Sequence, residues 1–268
     1  TASSVHACAF TGKVNAGSVV GGIAALIAGD TPIYDCHVDA DLQGKNTIGG
    51  VVGYSDRAYV HNCYAQGTLT LDAAAISGKV GGIVGEIAAD LVGTATNIVL
   101  ENCLVGISAI TVPAGNDVVA HRVAGFTSCD NYEYDWDNVD WETDQSEWPR
   151  IYGLPEQYIK HNYVVTDLAA IDANIQQTDS TTEGATLAWE EVTNEWLANH
   201  GFVEGTTVET PWLFQDDVLI LWYEAEVEDD VDNIMDGNNN DASKKLMLDG
   251  QLFIIHNGKT YNIMGVPM

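Results

Sequence analysis

The sequence predicts a mostly β fold in which the first half of the chain forms a parallel β-solenoid. A cysteine recurs after 28 and then 27 residues, and a Gly-Gly pair follows it at the same distance in the first two units. Each unit offers two short strand-like runs, one around the cysteine and one after the glycines, and neither run buries a face alone. Stacking the units about 4.8 Å apart lets equivalent strands pair and build a continuous core.

Four units fill residues 1–128, which we predict to be the solenoid domain. The third unit carries an insertion before its glycines, and the fourth departs from the glycine pattern. Stacking aligns equivalent residues, so we expect the cysteines to form an inert buried ladder and the glycines to mark tight turns or close backbone approaches. A disulfide or a metal site between neighbouring cysteines is the alternative. The predicted ladder residues are Cys8, Cys36, Cys63, Cys103, Gly22, Gly50 and Gly82.

The glycine-centred runs at residues 20–24, 48–53 and 80–85 resemble the GLUG motif, and the run NCYAQG at 62–67 resembles the strand that accompanies it. GLUG repeats occur in bacterial surface and secreted proteins, including adhesin-like proteins and the non-catalytic parts of IgA-cleaving peptidases. The resemblance covers residues 5–126. It implies an extracellular or outer cell-surface location and a right-handed parallel β-helix of about four coils, but it implies no shared ligand.

Residues 129–223 are predicted to form a mixed segment that caps the solenoid, and this segment begins with an acidic and aromatic stretch. The simplest interpretation of the stretch is an insertion that packs its rings on the solenoid and keeps its acids in water. Glycan contact through the rings and calcium binding through the carboxylates are the alternatives. The candidate ligand-binding residues are Tyr132, Tyr134, Trp136, Trp141 and Trp148.

The second part of this segment predicts a helix over residues 188–200, because Trp189 and Trp196 lie on one helical face that suits a core. A turn at 211–214 and a buried strand over 218–223 follow. This order of helix, Pro-Trp and closing strand is similar to the segment that ends many GLUG-containing proteins. We interpret it as the cap on the C-terminal end of the solenoid.

The end of the chain divides into a linker and a small hairpin. Residues 224–245 are acidic and rich in Asn, and they lack the glycine and the glutamate that an EF-hand calcium loop requires, so they predict a linker. Residues 246–268 place an apolar strand between two turn dipeptides, which predicts a short β-hairpin. This last segment resembles a C-terminal segment of many secreted proteins of Bacteroidetes. The resemblance implies a sorting or anchoring role, with a structural tail as the alternative.

The charge of the chain excludes one class of partner. Its 39 acidic and 10 basic residues give a net charge of −29, which repels nucleic-acid phosphates. The sequence contains no apolar run long enough to span a membrane.

No arrangement of residues predicts catalysis. Asp39 and Asp41 would face the same side of a strand and are the best pair for a hydrolase, but chance pairs are expected among so many acids. His6 and His61 both precede a ladder cysteine by two residues, which predicts an exposed repeat position where they stack or line one face. We assign no catalytic residue, no metal ligand and no cofactor, and a bound calcium ion is the alternative to the absence of a cofactor.

These observations favour a non-catalytic, secreted or cell-surface protein that binds a glycan or a host surface protein in the manner of an adhesin. The alternative is a structural stalk, or an accessory domain of a larger secreted enzyme such as a peptidase. A polysaccharide-degrading β-helix enzyme is the second alternative. A binding role predicts exposed rings in the aromatic stretch, and a purely structural role predicts buried rings.

Overall fold

A computed structural model shows a mostly β protein whose repeat region forms parallel sheets in a β-helix-like arrangement. The chain falls into two compact units, Thr1–Glu224 and Ala225–Met268. The structure describes residues 3–29, 31–89, 99–114, 117–130, 150–152, 154, 158–166, 168, 180–215, 218–225, 244–248, 251–256 and 259–262.

Each sequence repeat forms four strands, where the sequence predicts two strand-like runs. The first unit contains β1 (Val5–His6), β2 (Ala9–Asn15), β3 (Val19–Gly21) and β4 (Ala24–Ala28). The second contains β5 (Ile33–Tyr34), β6 (His37–Gly44), β7 (Thr47–Gly49) and β8 (Val52–Asp56). The third contains β9 (Val60–His61), β10 (Tyr64–Leu71), β11 (Ser77–Gly81) and β12 (Val84–Ala89). The fourth contains β13 (Leu100–Glu101), β14 (Leu104–Thr111), β15 (Asp117–His121) and β16 (Ala124–Asp130).

Equivalent strands of successive units pair in parallel and give four sheets, which we name A to D in the order in which the chain passes through them. Later strands extend three of these sheets. They are β17 (Arg150–Tyr152), β18 (Ile159–Lys160), β19 (Tyr163–Val164) and β20 (Ala185–Thr186). The strand β17 runs antiparallel to β16 in sheet D, β18 joins sheet A, and β19 and β20 join sheet B.

A left-handed residue turns the chain from sheet A to sheet B in every unit. The five residues at this corner have φ between 48° and 54°, and they are Ala7, Asp35, Asn62, Asn102 and His161. Asn and Asp tolerate this conformation better than other side chains do, because their short polar groups bond locally. The corner is therefore fixed by local backbone preference as well as by stacking.

The ladder cysteines come directly after this corner. In each unit the thiol donates to the backbone carbonyl two residues earlier, as Cys36 does to Tyr34 O over 3.3 Å. A buried carbonyl at the corner thus gains a donor that an alanine would not supply. Asn162 takes the same position after the fifth corner, where its Oδ1 accepts from the Cys103 backbone N–H over 3.0 Å and its Nδ2 donates to Leu100 O.

The second glycine of each pair lies where neighbouring units touch backbone to backbone. The Gly22 N–H donates to Gly50 O, and the Gly82 N–H donates to Arg122 O, each over 3.1 Å. A Cβ atom added at Gly50 would overlap the carbonyl oxygen of Gly82 and lie 2.8 Å from the Cβ of Ala65. Any side chain at this position would therefore push two units apart.

The C-terminal end of the stack is closed by α1 (Ser180–Glu183) and β20. The Thr182 carbonyl accepts from the Val123 N–H, and the Glu183 carboxylate bonds to the Nδ1 atom of His121 and the Nε atom of Arg122. Burial acts to raise the pKa of Glu183, but the bonds and charges of these two partners outweigh it and lower this pKa. An acidic side chain thus occupies the end of the stack as half of a charge pair.

A second part of the predicted capping segment, residues 189–224, packs along the outer face of sheet B, and we name it the side segment. Its elements are a 3₁₀ turn (Trp189–Glu191), α2 (Asn194–Asn199), β21 (Trp212–Gln215) and β22 (Val218–Leu221). It packs its apolar side chains on the first outward residues of sheet B, Tyr64 and Leu104 among them. A row of apolar and aromatic side chains on the outer face of the solenoid is thereby shielded from water.

Two local predictions in this segment are wrong in detail. The predicted single helix over 188–200 is interrupted, because Thr193 adopts an extended conformation and its side chain caps α2 by accepting from the Trp196 N–H. The predicted turn at 211–214 is the strand β21, which pairs antiparallel with β22. The buried face of the predicted helix is present, since Val192 and Leu197 are both buried.

The C-terminal unit is an antiparallel sheet of three strands. They are β23 (Lys244–Leu248), β24 (Gln251–His256) and β25 (Lys259–Asn262). The predicted strand over 251–256 is the central strand β24, and β23 and β25 pair on its two sides. Most of the predicted linker over 224–245 lies outside the described residues.

The Gly-Gly contact predicts a large effect of one methyl group. We expect Gly50→Ala to lower the free energy of unfolding by at least about 4 kcal/mol, because the rigid backbone of the next unit cannot move aside. The matched control is Gly17→Ala, where an added Cβ meets nothing within 4 Å and the change should stay within about 0.5 kcal/mol. Urea unfolding measures both, and a Gly50→Ala variant as stable as the control would contradict the stacking.

Candidate functional site

The outer face of sheet B presents the longest strands of the protein and a regular array of polar side chains. Alternate residues of β6 point inward and are buried, so the residues between them face outward. The parallel register aligns the outward residues of neighbouring strands in rows. The second row is Thr11, Asp39, Gln66 and Gly106, the third begins with Lys13, Asp41 and Thr68, and the fourth is Asn15, Gln43, Thr70 and Thr111.

The first outward row is covered by the side segment and forms the edge of the site. The rings of His37 and Tyr64 stack with centroids 5.4 Å apart, and Tyr64 stacks on Trp189 at 6.0 Å. Trp189 is only half-buried, whereas Tyr64 is buried. The stacked rings of His37, Tyr64 and Trp189 therefore form a raised aromatic edge beside the polar rows.

A groove of about 290 Å³ lies at this edge. Its lining residues are Tyr64, Gln66, Gly106, Val165, Thr166, Trp189, Val218 and Leu219. The volume is near the lower end of the range for small-molecule sites, roughly 300 Å³. Gly106 shapes the floor, because a Cβ atom there would lie 2.8 Å from the Tyr64 hydroxyl. The glycine lets the tyrosine ring lie flat over the neighbouring strand.

A buried hydrogen-bond chain leads into the groove. The Glu224 carboxylate lies 2.7 Å from Nδ1 of His37, and the Gln66 amide nitrogen lies 3.0 Å from Nε2 of the same ring. The carboxylate accepts from Nδ1–H, and Nε2, which faces the amide nitrogen of Gln66, accepts from that amide. His37 is 2% exposed and both of its ring nitrogens are occupied within the protein. The chain therefore orients Gln66 and leaves no free ring nitrogen for proton transfer.

The predicted carboxylate pair does share one face, but its two members have different surroundings. Asp41 accepts from Lys13 Nζ over 2.8 Å and from Thr68 Oγ1 over 2.7 Å, and these contacts lower its pKa. Asp39 is exposed, and its charge adds to burial in raising the pKa of Tyr64. Asp41 is thus held as a carboxylate, which does not suit the general-acid role of a hydrolase.

The predicted ladder cysteines lie in successive units as free thiols. Cys36, Cys63 and Cys103 are 0% exposed, while Cys8 in the first unit is partly exposed. The neighbouring thiol of Cys63 and burial raise the pKa of Cys36, and burial raises the pKa of Cys63. A protonated thiol is a poor nucleophile and a poor metal ligand, so the surroundings favour an inert role over a catalytic one.

The remaining predictions concern the aromatic candidates, two histidines and a metal ion. The five aromatic candidates between Tyr132 and Trp148 lie outside the described residues. His6 and His61 do line one face, where their rings stack on either side of Tyr34 with centroid distances of 4.8 and 4.9 Å. Within the described ranges, no three His, Cys, Asp or Glu side chains are placed to hold a metal ion.

The residues of the groove were not predicted as a site. His37 and Tyr64 each directly follow a ladder cysteine, so the repeat alignment contains the signal that they share a row. Trp189 was assigned to a core, and Glu224 to a linker. Their approach to sheet B depends on the fold of the side segment, which carries no repeat.

Comparison with models of protein families, with curated proteins and with solved structures found no match to this chain. Among the helices that the structure describes, none is long and apolar enough to cross a membrane.

The burial of the thiols predicts their order of alkylation. We expect iodoacetamide to modify Cys8 before the other three ladder cysteines in the native protein, and Cys36, Cys63 and Cys103 at least about 100-fold more slowly, because their reaction requires the stack to open. Peptide mass spectrometry assigns each modified residue, and the same reaction in denaturant, where all should react, is the control. Modification of Cys63 as fast as Cys8 would contradict the buried ladder.

Proposed function

We propose that this protein is a non-catalytic, adhesin-like binding protein of the cell surface or of the secreted fraction, and that its groove on sheet B binds a glycan. Within this proposal the parallel stack is a right-handed β-helix of about four coils built from GLUG-type repeats. The resemblance of residues 20–24, 48–53 and 80–85 to the GLUG motif supports the extracellular location.

The observation that carries the proposal is the pairing of an aromatic face with a fixed carboxamide in one groove. Trp189 forms the wall, and the oriented side chain of Gln66 forms part of the floor. A sugar ring has an apolar face of C–H groups that packs on an aromatic ring, and hydroxyls that pair with planar amides and carboxylates. A mostly apolar wall with a few fixed polar groups is the general form of a small-molecule site.

The rows beyond the groove extend the surface available to a longer ligand. Amide and hydroxyl side chains predominate in the fourth row, where Asn15 Nδ2 donates to Gln43 Oε1 over 3.1 Å. The second row adds Thr11 and Asp39 beside Gln66. A chain of sugars laid across the strands would meet hydrogen-bonding groups on every unit. The aromatic stretch from Tyr132 to Trp148 remains a second proposed contact.

The alternative proposal is a structural stalk, or an accessory domain of a larger secreted enzyme. The large aromatic anchors of the side segment favour it, because Phe202 and Trp212 are almost completely buried and stabilise the fold only. A polysaccharide-degrading enzyme is supported less, since the ionised Asp41 lacks the features of a general acid.

A glycan array tests the binding role. We expect the wild type to bind at least one glycan, and Trp189→Ala to weaken that binding at least about tenfold, because it removes the stacking wall. The control is Trp222→Ala, which removes an exposed ring that does not line the groove. A Trp136→Ala, Trp141→Ala double variant tests the aromatic stretch in the same assay.

The outcomes separate the proposals. Loss of binding in Trp189→Ala alone supports the groove, and loss in the double variant alone moves the site to the aromatic stretch. A wild type that binds no glycan on the array would leave the stalk or accessory domain as the better account.

A further inference from the structure

We propose that the groove on sheet B selects glycans that carry no negative charge, with Gln66 as the specificity-determining residue and His37 as its positioning residue. The inference rests on the proposed function, since it names the class of glycan that the same groove takes. It follows from the orientation of one carboxamide and from the charges that surround it.

The orientation of Gln66 is fixed by two partly buried contacts, from Glu224 to His37 and from His37 to Gln66. Glu224 Oε2 accepts from the Leu221 backbone N–H over 2.8 Å and from His37 Nδ1–H over 2.7 Å, which fixes the direction in which the ring points. The ring cannot rotate freely, because it also stacks on Tyr64. Nε2 of His37 is therefore a fixed acceptor, and it takes the amide N–H of Gln66.

Because the amide nitrogen of Gln66 faces His37, the carbonyl oxygen of the same carboxamide is left for the groove. Asp39 is the register partner of Gln66 on the next strand and is exposed. Gln66 thus offers an acceptor from the floor, and Asp39 offers a second acceptor beside the groove in the same row. A ligand that suits them must donate hydrogen bonds, as the hydroxyls and amines of sugars do and carboxylates and sulfates do not.

The charges near the groove also favour a ligand without negative charge. Among the described residues that line the groove, none is cationic. The nearest lysine along the rows, Lys13, is already paired with Asp41 over 2.8 Å. Asp39 lies next to Gln66 in the second row, and its charge adds to burial in raising the pKa of Tyr64, which lines the groove. An anionic sugar would lose its hydration here and meet a carboxylate without a compensating cation.

Matched oligosaccharides test the selection directly. The probes are hexasaccharides of β-1,4-glucan, β-1,3-glucan, α-1,4-glucan and β-1,4-mannan, each as the neutral chain and as the same chain oxidised at C6 to the uronate. We expect isothermal titration of the whole chain to give at least about tenfold tighter binding for a neutral chain than for its uronate. Asp39→Asn should narrow this ratio, because it removes the repulsive carboxylate.

Two substitutions at His37 separate positioning from packing. His37→Gln places a carbonyl oxygen near the position of Nε2 and keeps an acceptor for Gln66, whereas His37→Asn keeps the contact with Glu224 and loses the acceptor. We expect His37→Gln to retain the preference for the neutral chain and His37→Asn to lose most of it. Gln66→Met, which keeps the volume of the side chain and removes the acceptor, should weaken the binding of the neutral chain at least about tenfold. Thermal unfolding of each variant shows that it is folded.

The results distinguish this inference from the proposed function. A uronate that binds as tightly as its neutral chain overturns the selection but leaves glycan binding intact. Equal selectivity in folded His37→Gln and His37→Asn overturns the positioning role. Absence of binding to every probe and to the array overturns both proposals.

Discussion

The contact between glycine backbones of successive units is the constraint on which the rest of the structure depends. At Gly50 the backbone lies against the carbonyl of Gly82, so the distance between units is set by main chain and leaves no room for a side chain. At the corner between sheets A and B, each ladder cysteine donates to a backbone carbonyl and closes the turn. In the first three units these two features hold neighbouring strands in an unshifted register, which gives the core its columns.

The register that builds the core also builds the groove. Gln66 lies beside Asp39 because β10 and β6 pair without a shift, and the same pairing brings His37 beside Tyr64. The side segment then docks on the left-handed corners, where Trp212 Nε1 donates to Asp35 over 2.9 Å, Asn62 Nδ2 donates to Gly201 O and the Tyr223 hydroxyl donates to Ala7 O. Three successive units thereby position the wall that faces the polar rows.

The parallel β arrangement could be predicted from the sequence, because the cysteines and glycines recur at regular intervals. The shared face of Asp39 and Asp41 could also be predicted, because side chains two residues apart on a strand point to the same side of the sheet. The position of the side segment could not be predicted, because Trp189, Trp212 and Glu224 have no periodic relation to the units they contact. The interruption of the predicted helix at Thr193 could be predicted only in part. A threonine favours a helix N-terminus, but the spacing of the apolar residues around it favours a continuous helix.

A disulfide between neighbouring strands tests the shared register most directly. Gln43 and Thr70 are register partners on β6 and β10, and Thr70 is in turn the partner of Thr111 on β14. We expect Gln43→Cys with Thr70→Cys to form a disulfide on oxidation, because paired strands lie about 4.8 Å apart and a disulfide spans about 4.4–6.8 Å between Cα atoms. Gln43→Cys with Thr111→Cys, two strands apart, should stay reduced. A bond in the second pair and none in the first, read by peptide mass spectrometry, would contradict the stacking of units in this register.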